Sequence, residues 1–138
     1  MSDESLDDSP LCFDFESVNL SPPHSKRISS VSLYSCSIPT LSVKLFDPAA
    51  QLPTRGSVSA AGYDLYSSEY SVIPAWSRKP VNTGIAIAFP PGLYAPVAPC
   101  SELALKCIDV GAGVIDEDFR EPVKVVLIKQ SDTTFRIN

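Results

Sequence analysis

The sequence predicts an all-β fold, a sandwich or barrel of short strands, over residues 41–138. Short runs of β-prone residues recur along this part of the chain, and Pro, Gly, Asn and Ser separate them at close intervals. An alternating strand and helix pattern does not occur, which disfavours a doubly wound nucleotide-binding fold. With 138 residues, 44% of them hydrophobic, we expect one domain with a real core.

Nine segments have the composition of short strands. They are residues 42–46, 63–66, 70–73, 79–82, 85–89, 93–98, 110–115, 123–129 and 134–137. Turn-forming residues separate them, as in the Pro-Pro-Gly run at 90–92 and the Asn-Thr-Gly run at 82–84. Residues 101–107 have local helical character, and Ser101 is the predicted N-cap of a turn or two of helix.

Residues 1–40 predict a disordered arm in front of the β domain. They alternate acidic residues, Ser and Pro and show no sustained hydrophobic period. The first 16 residues carry six acids and no Lys or Arg, so most of the net charge of −5 lies there. Two Ser-Pro pairs at residues 9–10 and 21–22 fit proline-directed phosphorylation sites. Residues 33–39 are strand-like and are a candidate lead into the fold.

Charge and hydropathy patterns exclude several classes of protein. The acidic head and the lack of a basic face argue against a nucleic-acid partner. Pro, Ser and charged residues break every apolar run before the roughly 18 residues that a membrane span needs. The acidic N-terminus is unlike a secretory signal. We therefore expect an intracellular protein, nuclear or cytoplasmic, without nucleic acid or membrane as a partner.

The cysteines predict neither a zinc site nor a disulfide framework. Cys12, Cys36, Cys100 and Cys107 are irregularly spaced without a CxxC pair, and the single histidine, His24, has no ligand-type neighbours. Four reduced thiols are the expectation.

Residues 112–120, AGVIDEDFR, have the composition of a hairpin. Gly113 is free to take a positive φ or to let a ligand approach the backbone, and the three acids that follow suit a turn. A small flat molecule that bonded to this backbone would have Asp116 to orient a water and Phe119 to stack. A solvated surface turn is the alternative that composition leaves open.

Two other segments carry candidate site residues. Asp64 lies in the otherwise apolar AAGYDLY run at 60–66, where it is either a functional carboxylate or an edge residue. Ser101, with the free N–H groups of a helix start, is either a generic anion site or an ordinary helix cap.

Seven segments, taken in order, resemble the trimeric dUTPases, the dUTP pyrophosphatases. They are PTRGS (53–57), AAGYDLYS (60–67), TGIAI (83–87), PGLY (91–94), VAP (97–99), LA (103–104) and IDVGAGVIDEDFR (108–120). The resemblance covers residues 43–138 and implies a jelly-roll, β-clip fold. It also implies a homotrimer with active sites shared between subunits, and Mg²⁺-assisted hydrolysis of dUTP to dUMP and pyrophosphate.

The resemblance assigns a role to each candidate residue. Asp64 matches a first-motif Asp that supports the metal-bound triphosphate, and Ser101 matches a second-motif Ser that binds phosphate oxygens. Asp116 matches the Asp that positions the attacking water and contacts the sugar. Phe119 falls where the family has a Tyr packed beneath the deoxyribose, so the ring is retained and the hydroxyl is lost. The backbone that reads uracil corresponds to Gly113, Val114 and Ile115.

Several departures from the family pattern bear on activity. Cys100 and Glu102 stand where the second motif has Arg and Gly. Loss of a bidentate Arg removes charge-assisted hydrogen bonds of about 1.5 to 3 kcal/mol each, and Glu102 adds a negative charge beside a polyanion. Glu121 replaces a hairpin Gly, and the chain ends at Asn138, before the fourth motif and the Gly-rich arm that closes over the triphosphate.

These departures predict a truncated, degenerate and catalytically inactive dUTPase-like protein that retains a uracil-reading hairpin. Two alternatives stay open. One is an active dUTP diphosphatase subunit, completed in a mixed trimer by a full-length partner. The other is a non-enzymatic interaction module that uses the β scaffold and the N-terminal arm.

Overall fold

The computed structural model describes residues 41–138, together with the backbone of two short strands, β1 (Phe13–Phe15) and β2 (Val18–Asn19). The expected disorder of residues 1–40 and the strand-like lead at 33–39 otherwise fall outside the described residues.

The described part of the chain has one helix, α1 (Ser101–Leu105). The remaining strands are β3 (Ser42–Leu45), β4 (Ser71–Ile73), β5 (Arg78–Asn82), β6 (Ile85–Ala88), β7 (Leu93–Pro99), β8 (Ile108–Gly111), β9 (Val114–Ile115), β10 (Lys124–Lys129) and β11 (Phe135–Ile137). The all-β prediction is confirmed.

The strands form four small antiparallel sheets. The first has the order β5-β10-β8, the second pairs β3 with β6, and the third pairs β11 with β4. The fourth is centred on β7, which pairs with β1, β2 and β9. All three partners are antiparallel to β7. This strand therefore pairs both with the two N-terminal strands and with β9, which follows β8 in the chain.

The hydrophobic core lies between these sheets. Strand β10 shows how the sequence builds it, because Val125 and Leu127 are buried while Val126 and Ile128 between them are only half-buried. Side chains two residues apart share one face of a strand, so this alternation turns one face of β10 inward. The other large aliphatic side chains that are fully buried in the described residues are Leu65, Ile73, Val81, Ile85, Ile87 and Ile108.

One charged residue enters the core. Lys129, the last residue of β10, is buried, and its ammonium group donates to the carbonyl oxygen of Lys106 at the end of α1. A helix C-terminus leaves carbonyls without intrahelical partners, and a lysine is a suitable donor for them. The contact ties α1 to the central sheet.

Two predicted strands are wrong. Residues 63–66 do not form a strand; only Asp64 pairs, in an isolated bridge with Thr54. Composition made this segment look like a strand, but a strand needs a neighbour to pair with, and that depends on distant residues. Residues 110–115 are not one strand either. The chain breaks between β8 and β9, where Ala112 has a left-handed φ of 55°.

The predicted helix start is one residue too late. Cys100 is the N-cap of α1, with extended φ and ψ of −65° and 161°, and Ser101 is the first helical residue. The side chain of Cys100 makes no capping hydrogen bond. A helix as short as α1 draws its stability from packing, here of buried Leu103, more than from a cap.

Cys100 and Cys107 are free thiols, and Cys12 and Cys36 lie outside the described residues. None of the helices in the described part of the chain is long and apolar enough to cross a bilayer.

Candidate functional site

Strands β7 and β9 position the segment of residues 112–120. After β8 the chain turns at Ala112 and crosses to β7, where Ile115 pairs with Ala95 and Val114 pairs with Pro96. One residue earlier, the carbonyl of Gly113 accepts a hydrogen bond of 2.6 Å from the amide of Val97. Strand β10 then returns to β8, with Val126 opposite Gly111. The predicted hairpin therefore has β8 and β10 as its arms, and its connection is docked on β7.

Gly113 serves a different purpose from the one that the sequence suggested. Its φ is not left-handed; the left-handed residue is its neighbour Ala112. A Cβ atom on Gly113 would lie 2.4 Å from the carbonyl oxygen of Val97. Real Cβ atoms do not come this close to backbone oxygen, so glycine is needed for the approach of the two backbones within the chain.

A pocket of about 230 Å³ opens beside this connection. Its walls are mostly apolar, and Phe119 and Val114 are 38% and 63% exposed there. Pockets for drug-sized ligands are usually about 300 to 1,000 Å³, so this pocket suits a single ring more than a whole nucleotide. It is lined by Val97, Val110, Ala112, Val114, Ile115, Phe119, Val123, Lys124, Val125 and Val126.

The three acids of the turn have different surroundings. The amide of Phe119 donates to the carbonyl of Asp116 over 3.1 Å, which closes the turn. A carboxylate oxygen of Glu117 accepts a hydrogen bond of 2.9 Å from the amide of Gly92, and so holds the turn against the loop before β7. The side chain of Asp116 is exposed and has no hydrogen-bond partner among the described residues. It therefore meets solvent at the outer side of the turn.

Ser101 is the first residue of α1, two positions beyond the end of β7. It is exposed, and it follows Val97, the residue bonded to Gly113, by four positions in the chain. The Gly113 segment and Ser101 therefore both adjoin the C-terminal half of β7. Next to Ser101, the carboxylate of Glu102 forms an ion pair of 3.0 Å with the ammonium of Lys106, one helical turn further on.

Asp64 belongs to a separate pair of loops. Its amide and carbonyl both bond to Thr54, over 2.7 and 3.2 Å. Its carboxylate lies near Gly56 in the preceding loop, because a Cβ on Gly56 would lie 3.5 Å from Oδ2 of Asp64. The guanidinium of Arg55 lies 5.2 Å from the centre of the Tyr63 ring, which is cation–π geometry. One cation and one carboxylate therefore lie at this loop pair.

Sequence reasoning did not identify Lys124 and Glu117 as parts of the site. Lys124 lines the pocket because it opens β10 immediately after the turn. The local sequence does not distinguish Glu117 from the other two acids, because nothing in it indicates a partner 25 residues away. Both positions depend on contacts that form only when β7, β9 and β10 have assembled.

The described residues do not build a metal cage of their own. Nowhere in that part of the chain do three or more His, Cys, Asp or Glu side chains come together in a way that holds a metal ion. A single carboxylate such as Asp64 remains compatible with Mg²⁺ that is carried mainly by phosphate oxygens and water.

Comparison with known structures supports the fold. A single-site mutant of the Staphylococcus bacteriophage 80alpha dUTPase, solved with dUpNHpp, is 27% identical with a TM-score of 0.62, over 64% of this chain and 53% of that chain. A mutant dUTPase from phage phi11 of S. aureus, described with a structural Mg(II) ion, has a TM-score of 0.62 at 24% identity. It covers 68% of this chain and 61% of that chain. The expected dUTPase-like β fold is confirmed.

Comparison of sequences identifies the family. Residues 48–138 match the family model described as dUTPase. A deoxyuridine 5'-triphosphate nucleotidohydrolase from Oryza sativa subsp. japonica is 51% identical over 117 residues, which is 84% of this chain and 64% of that protein. One from Candida albicans is 52% identical over 99 residues, or 71% of this chain and 62% of that protein. The chain thus spans a little under two thirds of the length of these curated relatives. With well over half of its length matched, the chain belongs to the dUTPase family.

Proposed function

We propose that this chain is a dUTPase-like protein that binds dUTP and dUMP through the segment 112–119 and that hydrolyses dUTP weakly or not at all. The observation that carries the proposal is the difference between the two ends of the site along β7. Near Val97, the Gly113 connection forms a shaped pocket. Near Ser101, the flanking residues are Cys100 and Glu102, and Lys106 is already paired with Glu102.

The base end has the parts that a pyrimidine needs. Val114 and Ile115 line an apolar pocket of ring size, and Gly113, whose carbonyl is bonded to Val97, precedes them. The backbone N–H and C=O of Val114 turn away from β7 and would be available to bond the edge of uracil. The exposed part of the Phe119 ring lies at the same mouth and offers a flat apolar surface to the sugar. This ring would favour a deoxyribose, because it is apolar and offers no hydrogen-bond partner to an extra hydroxyl.

The hydrolytic roles rest on two carboxylates. Asp116 is exposed beside the pocket and would accept a hydrogen bond from the attacking water, and so orient it. Its carboxylate has no partner within the described residues to hold it, so in one isolated chain its position is set only by the closed turn. Asp64 would support Mg²⁺ indirectly, through water and substrate phosphates, and the ion would neutralise charge on the triphosphate when bound.

The phosphate end is where activity would be lost. A bidentate Arg in place of Cys100 would contribute about 1.5 to 3 kcal/mol per charge-assisted hydrogen bond, and each 1.36 kcal/mol in the barrier is about tenfold in rate. Glu102 weakens phosphate binding less than its charge alone implies, because the ammonium group of Lys106 lies 3.0 Å from its carboxylate. We therefore attribute the weakened phosphate binding mainly to Cys100.

The test compares pyrophosphate release and nucleotide binding in the full chain and two variants. Cys100→Arg restores the cation, and Cys100→Ser is the matched control without charge. We expect the unaltered chain to bind dUMP and dUTP within about threefold of each other, because it gains little from the extra phosphates. Cys100→Arg should raise dUTP affinity at least about tenfold with little change for dUMP, a gain of at least about 1.4 kcal/mol.

Two results would count against the proposal. One is turnover of dUTP by the unaltered chain, with Mg²⁺, within about a hundredfold of an ordinary dUTPase. The other is an equal effect of Cys100→Arg and Cys100→Ser on dUTP binding, since the proposed gain requires the positive charge.

Exposed apolar side chains support a second candidate, an active subunit within a homotrimer or a mixed trimer. Leu45, Phe46, Leu52 and Leu105 are all about half or more exposed in the single chain, and such residues are often covered in an assembly. Co-expression with a tagged full-length dUTPase, followed by size-exclusion chromatography with light scattering, tests this. Co-purification in a trimer that gains activity supports the candidate, and separate elution removes it.

A further inference from the structure

Strand β7 has two hydrogen-bonding edges, and they face different partners. The amide of Val97 donates to Gly113, so Val97 and its alternate neighbour Ala95 direct their backbone groups toward β9. Because backbone groups alternate along a strand, Tyr94, Pro96 and Ala98 direct theirs to the opposite edge. We call this the outer edge of β7.

The outer edge is occupied by the chain's own N-terminal arm. Phe13–Phe15 pairs with the stretch from Val97 to Pro99, and Val18–Asn19 pairs with Leu93 and Tyr94. The two ladders share one register, because two residues separate them on each strand: positions 16 and 17 on the arm, and Ala95 and Pro96 on β7. The five described residues of the arm therefore pair in one register with five of the seven residues of β7.

Pro96 makes the outer edge a weak partner. It is the middle residue of the outer edge, and proline has no N–H to donate. The outer edge thus offers amide donors only at Tyr94 and Ala98, and the described ladders lie around these two residues. Proline within a strand is typical of an edge that pairs only in part.

We propose that the outer edge of β7 is a strand-docking edge, and that residues 13–19 are its detachable occupant within the same chain. The described ladders are only three and two residues long, and the edge that they use has a proline at its centre, so they hold the arm weakly. An occupied edge is also a protected edge, since unpaired strand edges recruit other chains. The arm strand would keep β7 closed to extended segments of other molecules, and its release would open the edge to them.

The register gives a matched pair of backbone variants in the full chain. In this pairing the amides of Asp14 and Val18 face β7, opposite Ala98 and Tyr94, whereas those of Phe15 and Asn19 face away. Asp14→Pro with Val18→Pro removes two donors to β7. Phe15→Pro with Asn19→Pro introduces the same number of prolines but removes no amide donor to β7. Hydrogen exchange then reports on the amides of Tyr94 and Ala98.

We expect the first variant to speed exchange at Tyr94 and Ala98 at least about tenfold, and the second to change it less than about threefold. The amide of Val97, which bonds to Gly113 at the other edge, should keep its protection in both variants and so show that the domain remains folded. Equal exchange at Tyr94 and Ala98 in the two variants would overturn the proposal.

A peptide experiment tests the docking edge separately. A labelled synthetic peptide of residues 11–21 should bind the Asp14→Pro, Val18→Pro chain and should bind the unaltered chain at least tenfold more weakly. N-methylation of the peptide at Asp14 and Val18 keeps every side chain and should abolish binding, whereas N-methylation at Phe15 and Asn19 should not. Binding that ignores the methylated positions would show that the peptide does not pair with β7. Neither measurement involves nucleotide, so the outcome is independent of the proposed function.

Discussion

The carbonyl oxygen of Gly113 lies 2.6 Å from the amide nitrogen of Val97, and a Cβ on Gly113 would lie 2.4 Å from the carbonyl oxygen of Val97. This close approach of two backbones docks the connection between β8 and β10 onto β7. It therefore decides where the candidate base pocket forms and which backbone groups reach its mouth.

The first prediction concerns Gly113→Ala. The severe clash of the added methyl group is with the backbone carbonyl of Val97, which cannot rotate away, so we expect a loss of about 1 to 3 kcal/mol in the free energy of unfolding, as for overpacked sites. Urea denaturation measures it. Gly56→Ala is the control, because its Cβ would meet Asp64 at 3.5 Å, an ordinary contact. Similar stabilities for the two variants would contradict the assigned packing.

The second prediction concerns the ring of Phe119. We expect Phe119→Ala to weaken dUMP binding by about threefold to tenfold, in line with the 0.5 to 1.5 kcal/mol typical of an aromatic contact. The free energy of unfolding should change by about 1 kcal/mol or less, because the side chain is 38% exposed and lines the pocket and not the core. Isothermal titration calorimetry with dUMP measures the binding. Phe119→Tyr keeps the ring and should bind dUMP at least as well as the unaltered chain.

The third prediction compares two buried hydroxyl groups. Thr83 Oγ1 donates to the carbonyl of Val123 over 2.8 Å, whereas Ser71 Oγ is buried without a hydrogen-bond partner among the described residues. Thr83→Val keeps the shape and should cost about 1 to 2 kcal/mol in the free energy of unfolding. Ser71→Ala removes a polar group that gains nothing from burial, so it should be neutral or slightly stabilising. Thermal and urea denaturation of both variants check the contrast, and a larger loss for Ser71→Ala would contradict it.

The fourth prediction concerns pH and Glu69. Hydrogen bonds from the Asn82 side-chain amide, at 2.8 Å, and from the Asn82 backbone lower the pKa of Glu69 below its ordinary value of 4.5. Attraction to Lys79 and Lys124 lowers the pKa further, and partial burial opposes the shift. Because the folded state favours the charged carboxylate, Glu69 stabilises the fold above pH 4.5, and this contribution is lost as pH falls through the lowered pKa.

Glu69→Gln should therefore be less stable than the unaltered chain at pH 7, by a few tenths to about 1 kcal/mol. The difference should shrink as the pH is lowered below 4.5. Urea denaturation across this range measures both effects. Glu121→Gln, at an exposed position, is the control and should track the unaltered chain; a constant difference for Glu69→Gln at every pH would show that its charge is not what stabilises the fold.

Much of the fold follows from local sequence. In β10 the alternation of buried and half-buried residues around Val125 and Leu127 is visible in the sequence, and the observed strand begins one residue after the predicted one. The segment after Gly113 reads as a turn because Gly and consecutive acids are turn residues, and its acids are exposed as composition suggests. These features depend on side-chain period and backbone preference within a few neighbouring residues.

The candidate site depends on contacts between distant segments. Nothing near Gly113 indicates that it docks on Val97, nor that Ala112 takes the left-handed conformation that this requires. Asp64 has a strand-like sequence around it, yet it pairs with Thr54 alone. Periodicity and composition report the face that a segment buries, and so they predict strands and core. The neighbour that supplies a strand's hydrogen bonds depends on the packing of the whole domain, and that packing puts the connection after β8 at one edge of β7 and the arm at the other.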